Sequence, residues 1–258
     1  MTDAARIASD LATAERERKQ RSPFTDEHPD LDLGVAYDAQ WSGVQAKLDA
    51  GQRLVGAKVG LASSAGQPGQ PGTEPLYGWV TDGMLLAPGE PVALDRFIQP
   101  RAEPEIAFLL GRDLGTPATV TSVLAATEAV LAAVDVLDSR YEDGRSTLPD
   151  AVADNAGAGA FLLGPAAARP ADLVDLPLVG CVLRVDGEVV ATAAGAAAMG
   201  HPAAAVAWLA NRVATRGQVL PAGMLVFSGG LTPPVPVSAG SCVTAELDGL
   251  GVVELWAR

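Results

Sequence analysis

Two carboxylates two residues apart, Glu103 and Glu105, stand in the stretch PRAEPEIAFLLGRD (100–113), which otherwise reads as a strand. Side chains alternate across a strand, so Glu103, Glu105, Ala107 and Leu109 share one face, while Ile106, Phe108 and Leu110 share the other. At a rise of about 3.3 Å per residue the two acids lie roughly 6.6 Å apart at Cα, close enough for both carboxylates to reach one hard cation such as Mg2+ or Mn2+. Glutamate is depleted in strands. On a solvated edge the mutual repulsion costs about 0.6 kcal/mol, whereas at an effective dielectric near 20 it rises to about 2.5 kcal/mol, so a buried face calls for a cation.

Other residues could join that chemistry. Asp135 sits in VDVLDS (134–139), a strand in which it shares a face with Leu137 while Asp138 points the other way. It follows an apolar stretch read as a helix over 122–133, with Thr121 as N-cap, and this order of elements could set a third oxygen ligand beside the first two. Lys58 lies in the strand LVGAKVG (54–60) between Ala57 and Val59, with Gly56 and Gly60 allowing close approach. It is either a solvated lysine or one that faces a pocket. Asp82 ends the strand 77–80, a place for functional and for turn-forming aspartates alike. Asp154 and Asn155, in a close-packed turn before a strand at 160–163, cap that turn or reach a ligand. The turn Ser228-Gly229-Gly230 lets backbone N–H groups approach an anion, because glycine imposes no side chain there.

The elements that must position these groups follow from patterning. Residues 3–19 form an amphipathic helix with Ile7, Leu11 and Ala14 on one side, and a second helix over 35–49 carries Tyr37, Trp41, Val44 and Leu48 as its apolar stripe. Residues 63–75 are a Gly/Pro/Gln loop, with 64–75 read as a mobile lid. Two strands across 178–193 flank the hairpin pair Asp186-Gly187. His201 and Pro202 open a helix to about 215. Strands then follow at 224–227, 242–247 and 252–257. There is no internal repeat, dinucleotide fingerprint, P-loop or nucleophile elbow.

The chain as a whole limits its partners. With 258 residues it can bury a large core, and it reads as an N-terminal helical segment over 1–50 joined to a catalytic unit over 51–258. A net charge of −13 without a basic tract argues against nucleic acid and anionic membranes. Cys181 and Cys242 lie in strand-like runs as small buried hydrophobes, which suits a reducing cytoplasm. No apolar leader or membrane span is expected. Two histidines exclude a His-rich zinc site, leaving oxygen ligands.

Taken together, GAKVGLAS (56–63), YGWVTDGM (77–84), PRAEPEIAFLLGRDL (100–114), VDVLDSRYED (134–143), VADNA (152–156), GAAAMGHPAAAVAWLAN (195–211) and SGGLTPPVPVSAG (228–240) resemble the 4-oxalocrotonate decarboxylase and 2-hydroxypentadienoate hydratase family, within the fumarylacetoacetate hydrolase superfamily. The resemblance implies an α+β fold with a mixed, rolled β-structure and peripheral helices. It also implies Mg2+, or Mn2+, held by Glu103, Glu105 and Asp135, the last where the family usually has Glu. Lys58 and Asp82 take the catalytic positions, and Asp154, Asn155, Ser228, Gly229 and Gly230 are expected to bind substrate. The implied activity is decarboxylation of a 2-oxohexenedioate to a 2-hydroxydienoate in aromatic meta-cleavage catabolism. A 2-hydroxypentadienoate hydratase, or a member with altered substrate or lost catalysis, stays open. The implied partner is a small 2-oxo acid, and the implied assembly a homo-oligomer, with association to a second enzyme of the family as a further option. Gly157 in place of a small hydroxyl residue and the GQPGQPG loop depart from the family pattern.

Overall fold

The computed structural model describes residues 3–60, 74–172 and 175–258. Helix α1 (Ala4–Glu17) begins where the Asp3 carboxylate accepts the Ala5 N–H, and it buries Ile7, Leu11 and Ala14. A short α2 (Phe24–Glu27) leads to α3 (Leu33–Asp49), whose N-terminal N–H groups donate to Asp32. Strands β1 (Leu54–Gly60), β2 (Leu76–Thr81) and β3 (Arg101–Leu110) follow, then α4 (Val120–Ala126), β4 (Thr127–Leu137), α5 (Leu148–Ala153) and β5 (Ala158–Ala168). The hairpin β6 (Gly180–Val185) and β7 (Glu188–Ala194) precedes α6 (Pro202–Ala214), β8 (Leu225–Phe227), β9 (Val235–Pro236), β10 (Cys242–Leu247) and β11 (Gly251–Trp256).

The main sheet runs β2-β1-β8-β3-β4-β5, with β9 paired to β3. Only β1 and β8 are parallel; the other neighbours are antiparallel. A second sheet, ordered β11-β10-β6-β7, packs its β10 and β11 over β4 and β5. The helices and this second sheet cover one side of the main sheet and form the large core.

The other side curls in on itself. Phe161 on β5 and Phe227 on β8 are three strand places apart, roughly 14 Å across a flat sheet, yet their ring centroids lie 4.4 Å apart. The bridge between Leu85 and Phe161 draws the chain after β2 back to β5. The result is a rolled, open β-structure rather than a closed barrel. Among the described residues no helix is long and apolar enough to cross a membrane.

Several local expectations shift. The helix expected over 122–133 ends at Ala126, and β4 starts at Thr127 instead of Val134. Pairing with ten residues of β3, from Leu110↔Thr127 to Arg101↔Leu137, overrides the helix preference of an alanine-rich run. Thr119, not Thr121, is the N-cap, in a reciprocal box with Ser122. The turn expected around Val152 is the end of α5, and the strand placed at 160–163 extends to 158–168. The expected lid falls, apart from its last two residues, outside the described residues.

Candidate metal centre

The register of β3 and β4 sets Glu103 directly opposite Asp135, and Glu105 follows two residues along the same face. One carboxylate oxygen from each of the three lies within 4.8 Å of the others. Glu105 and Asp135 are fully buried, and Glu103 is half-buried at the mouth of the group. The bland alternative of a solvated edge is thus removed for two of the three.

Glu105 Oε2 accepts the Gly229 N–H at 2.8 Å, but Glu105 Oε1 and Asp135 Oδ1 are buried without a hydrogen-bond partner among the described residues. A buried carboxylate oxygen left bare is costly, so this pair of lone-pair sites fits a cation. Burial pushes all three acids upward despite the offsetting charge of Lys58; for Glu103 the rise reaches about 8. An all-oxygen donor set of this kind suits Mg2+.

Lys58 enters the same space from β1, its side chain 1% exposed. Its ammonium donates to the Asp135 carboxylate and, at 3.2 Å, to the Ala156 carbonyl. Burial alone would lower the lysine's pKa, but Asp135, Glu105 and Glu103 together outweigh it and keep the ammonium protonated. β1 and β4 are three places apart in the sheet, so this contact exists only because the sheet rolls. Lys58 therefore faces the pocket.

The turn Ser228-Gly229-Gly230 is also brought here. Ser228 N–H donates to Ile106 and Leu231 N–H to Pro104, which lays the turn along β3. A side chain at Gly230 would meet the end of the Glu103 side chain, so glycine lets that carboxylate stand where it does. Ser228 Oγ is buried and has no hydrogen-bond partner among the described residues.

Three expected site residues are not brought to the carboxylates. Asp82 lies just beyond Thr81, which pairs with Leu54, so it is roughly 13 Å along the strand from Lys58. Its carboxylate accepts the backbone N–H and Nε–H of Arg53, both at 2.9 Å, and these bonds hold it below its ordinary range. The Asp154 carboxylate is taken by buried Arg140, and the Asn155 amide is bonded to the backbone of Trp79.

The pocket's apolar wall is not legible in the sequence. Phe161 pairs with Asp135, and Phe227 pairs with both Lys58 and Ala107, so both rings share the face of the charged groups. The Lys58 Nζ sits 6.0 Å from the Phe161 ring centroid. The one available signal was position: Phe227 immediately precedes the Ser-Gly-Gly turn. The Ala156 carbonyl left no signal in the sequence at all.

Comparisons with known proteins agree with this geometry. The family model described as fumarylacetoacetate (FAA) hydrolase C-terminal matches residues 54–255. The chain is 40% identical over 246 residues to the 4-oxalocrotonate decarboxylase of Pseudomonas sp. (strain CF600), covering 95% of this chain and 92% of that one. It is 39% identical over 247 residues to the 2-keto-4-pentenoate hydratase of Paraburkholderia xenovorans (strain LB400), covering 95% and 91%. The solved structure of 4-oxalocrotonate decarboxylase from Pseudomonas putida G7, complexed with magnesium and adipate, matches with a TM-score of 0.94 at 35% identity, covering 99% of this chain and 97% of that one.

Proposed function

The chain belongs to the fumarylacetoacetate hydrolase family, and from that premise we propose that it is a Mg2+-dependent decarboxylase of a 4-oxalocrotonate-type 2-oxohexenedioate, yielding a 2-hydroxydienoate. The observation that carries this reading is the convergence of Glu103, Glu105 and Asp135 on one pocket with Lys58 beside them. A divalent cation held by these carboxylates would supply Lewis acidity to the oxygens of a 2-oxo acid and so favour the electron-rich product of CO2 loss.

The chain's own residues would do the rest. Lys58, fixed by two acceptors, has one ammonium N–H left to donate to the oxo-acid end of the substrate, within hydrogen-bond reach of the carboxylates. Gly229 orients Glu105, and the Ser228 hydroxyl is free to bond a substrate oxygen. Phe161 and Phe227 present a dry wall to a flat conjugated chain and exclude water from it. Asp82 keeps, within the proposal, the proton-handling part at the carbon chain, from the end of β2 instead of from inside the cluster. A homo-oligomer stays part of the same proposal.

The identity to a hydratase over nearly the whole chain favours a second reading, water addition to a 2-hydroxypentadienoate at the same centre. Incubation of the Mg2+-loaded protein with 2-oxohex-3-enedioate and with 2-hydroxypentadienoate, following CO2 release and dienoate absorbance, separates the two. CO2 release from the first substrate supports decarboxylation. Consumption of the second without CO2 release overturns it.

A further inference from the structure

Between α5 and β5 the backbone makes three consecutive left-handed residues, Asn155 (φ 53°), Ala156 (φ 57°) and Gly157 (φ 65°). The left-handed region disfavours residues with a Cβ, and two of these three carry one, so something outside the turn must hold it. The Asn155 side chain does so. Its Oδ1 accepts the Trp79 N–H and its Nδ2 donates to the Trp79 carbonyl, both at 2.8 Å. Among the described residues β2 is the end strand of the sheet and pairs only with β1, so the Asn155 amide occupies the place a further strand would take. The fit is close enough that a Cβ on Gly78 would strike the Asn155 carbonyl oxygen.

Gly78 is the cross-strand partner of Lys58, and paired residues point to the same face. The turn therefore lies over the lysine, and its Ala156 carbonyl accepts from Nζ at 3.2 Å. With a second hydrogen donated to Asp135, the orientation of the last ammonium N–H is determined.

We propose that Asn155 is a positioning residue for Lys58: by clamping the left-handed turn to Trp79 it aims the Ala156 carbonyl at the ammonium and so fixes the direction of the one N–H that meets substrate. The last clause rests on the decarboxylase or hydratase reading above; the positioning itself does not.

The test separates the two. The chain has three lysines, Lys19, Lys47 and Lys58, and only Lys58 is buried. In protein labelled with 15N-lysine, the buried ammonium should give one slowly exchanging NH3+ cross-peak, assigned by its loss in Lys58→Met. Asn155→Ala should shift or abolish that peak and lower kcat about 100-fold with KM and Mg2+ affinity within about threefold of wild type. Ala156→Gly, which tolerates the left-handed turn, should keep both peak and kcat. Ala156→Val, which resists that conformation while leaving the amide clamp in place, should behave like Asn155→Ala. Should Asn155→Ala not fold, Asn155→Asp retains the acceptor for the Trp79 N–H and is read in its place. An unmoved cross-peak with wild-type kcat in the Asn155 variant overturns the proposal, as does a parallel loss of Mg2+ affinity, KM and kcat, which marks a merely structural residue. If wild type turns over neither substrate, the functional reading fails, and the cross-peak still decides the positioning.

Discussion

Glu103 and Asp135 are direct cross-strand partners on β3 and β4, two like charges set opposite each other where neighbouring strands would ordinarily avoid them. The same register leaves Glu105 Oε1 and Asp135 Oδ1 bare inside the protein. An arrangement this unfavourable on its own would be stabilised by a bound cation, as the proposed function requires.

Glu105→Gln should abolish measurable Mg2+ binding, with an affinity loss of about 100-fold or more, because a neutral amide replaces a buried anionic ligand. The metal-free variant should also melt above metal-free wild type, since a neutral amide escapes the desolvation that pushes the buried Glu105 carboxyl upward. Calorimetric titration and melting curves with and without Mg2+ check both. An unchanged affinity would remove Glu105 from the centre.

Lys58→Ala should lose roughly three or more orders of magnitude in kcat at saturating Mg2+. The lysine is buried against Asp135, so removing it should also cost about 3–5 kcal/mol in the metal-free protein. Lys58→Arg should be poor as well, because a planar fork does not fit where a compact ammonium is gripped by two acceptors. Denaturant titration and single-turnover kinetics give the two numbers; near-wild-type turnover in Lys58→Ala would take it out of the mechanism.

The pH dependence has a definite sign. Burial first, then the neighbouring Asp135, raises Glu103 to about 8, so the folded, metal-free protein holds this proton more firmly than the unfolded chain does. Its stability should therefore fall as pH rises from the ordinary carboxylate range through about 8, while Mg2+ affinity rises over the same window with release of protons. Melting temperatures from about pH 5 to about pH 9, with and without Mg2+, should diverge progressively. Parallel curves would contradict this.

Asp82 and Arg53 are bonded to each other at the end of β2. If the pair acts as a unit, Asp82→Asn and Arg53→Ala should lower turnover by similar factors, and the double variant should be little worse than either. A far larger loss in Asp82→Asn than in Arg53→Ala would support the proton-handling part proposed for Asp82 acting on its own, and wild-type turnover in Asp82→Asn would remove it.

Asp154→Asn should cost about 3–5 kcal/mol of stability, because buried Arg140 loses the carboxylate it is paired with, while KM for folded protein stays near wild type. Chemical unfolding paired with initial-rate kinetics tests this. A raised KM with intact stability would return Asp154 to the substrate.

What the sequence could convey was set by how local each signal was. The period-two spacing of Glu103 and Glu105 and the acid inside the apolar run at Asp135 are local, and both were readable. The Asp186-Gly187 hairpin was equally plain. The start of β4 was not, because an alanine-rich run satisfies helix and strand alike until β3 pairs with it. The meeting of Phe161 with Phe227, and of Lys58 with Asp135, depends on curvature accumulated over three strand spacings, which no local pattern encodes. Asn155 read as a turn cap or a substrate ligand rather than a clamp, because its partner, Trp79, lies 76 residues away.

The company kept by Lys58 has a consequence for ion choice. One ammonium and three carboxylates carry a formal sum of two negative charges when all are ionised, so a divalent cation brings the pocket to electroneutrality. A monovalent ion would leave one negative charge stranded among Phe161, Phe227 and Ala133, and a lanthanide one positive charge. In so dry a setting either imbalance is expensive. On the proposed metal reading the centre would sort ions by valence before radius, and a trivalent ion would be accepted only together with an extra anion.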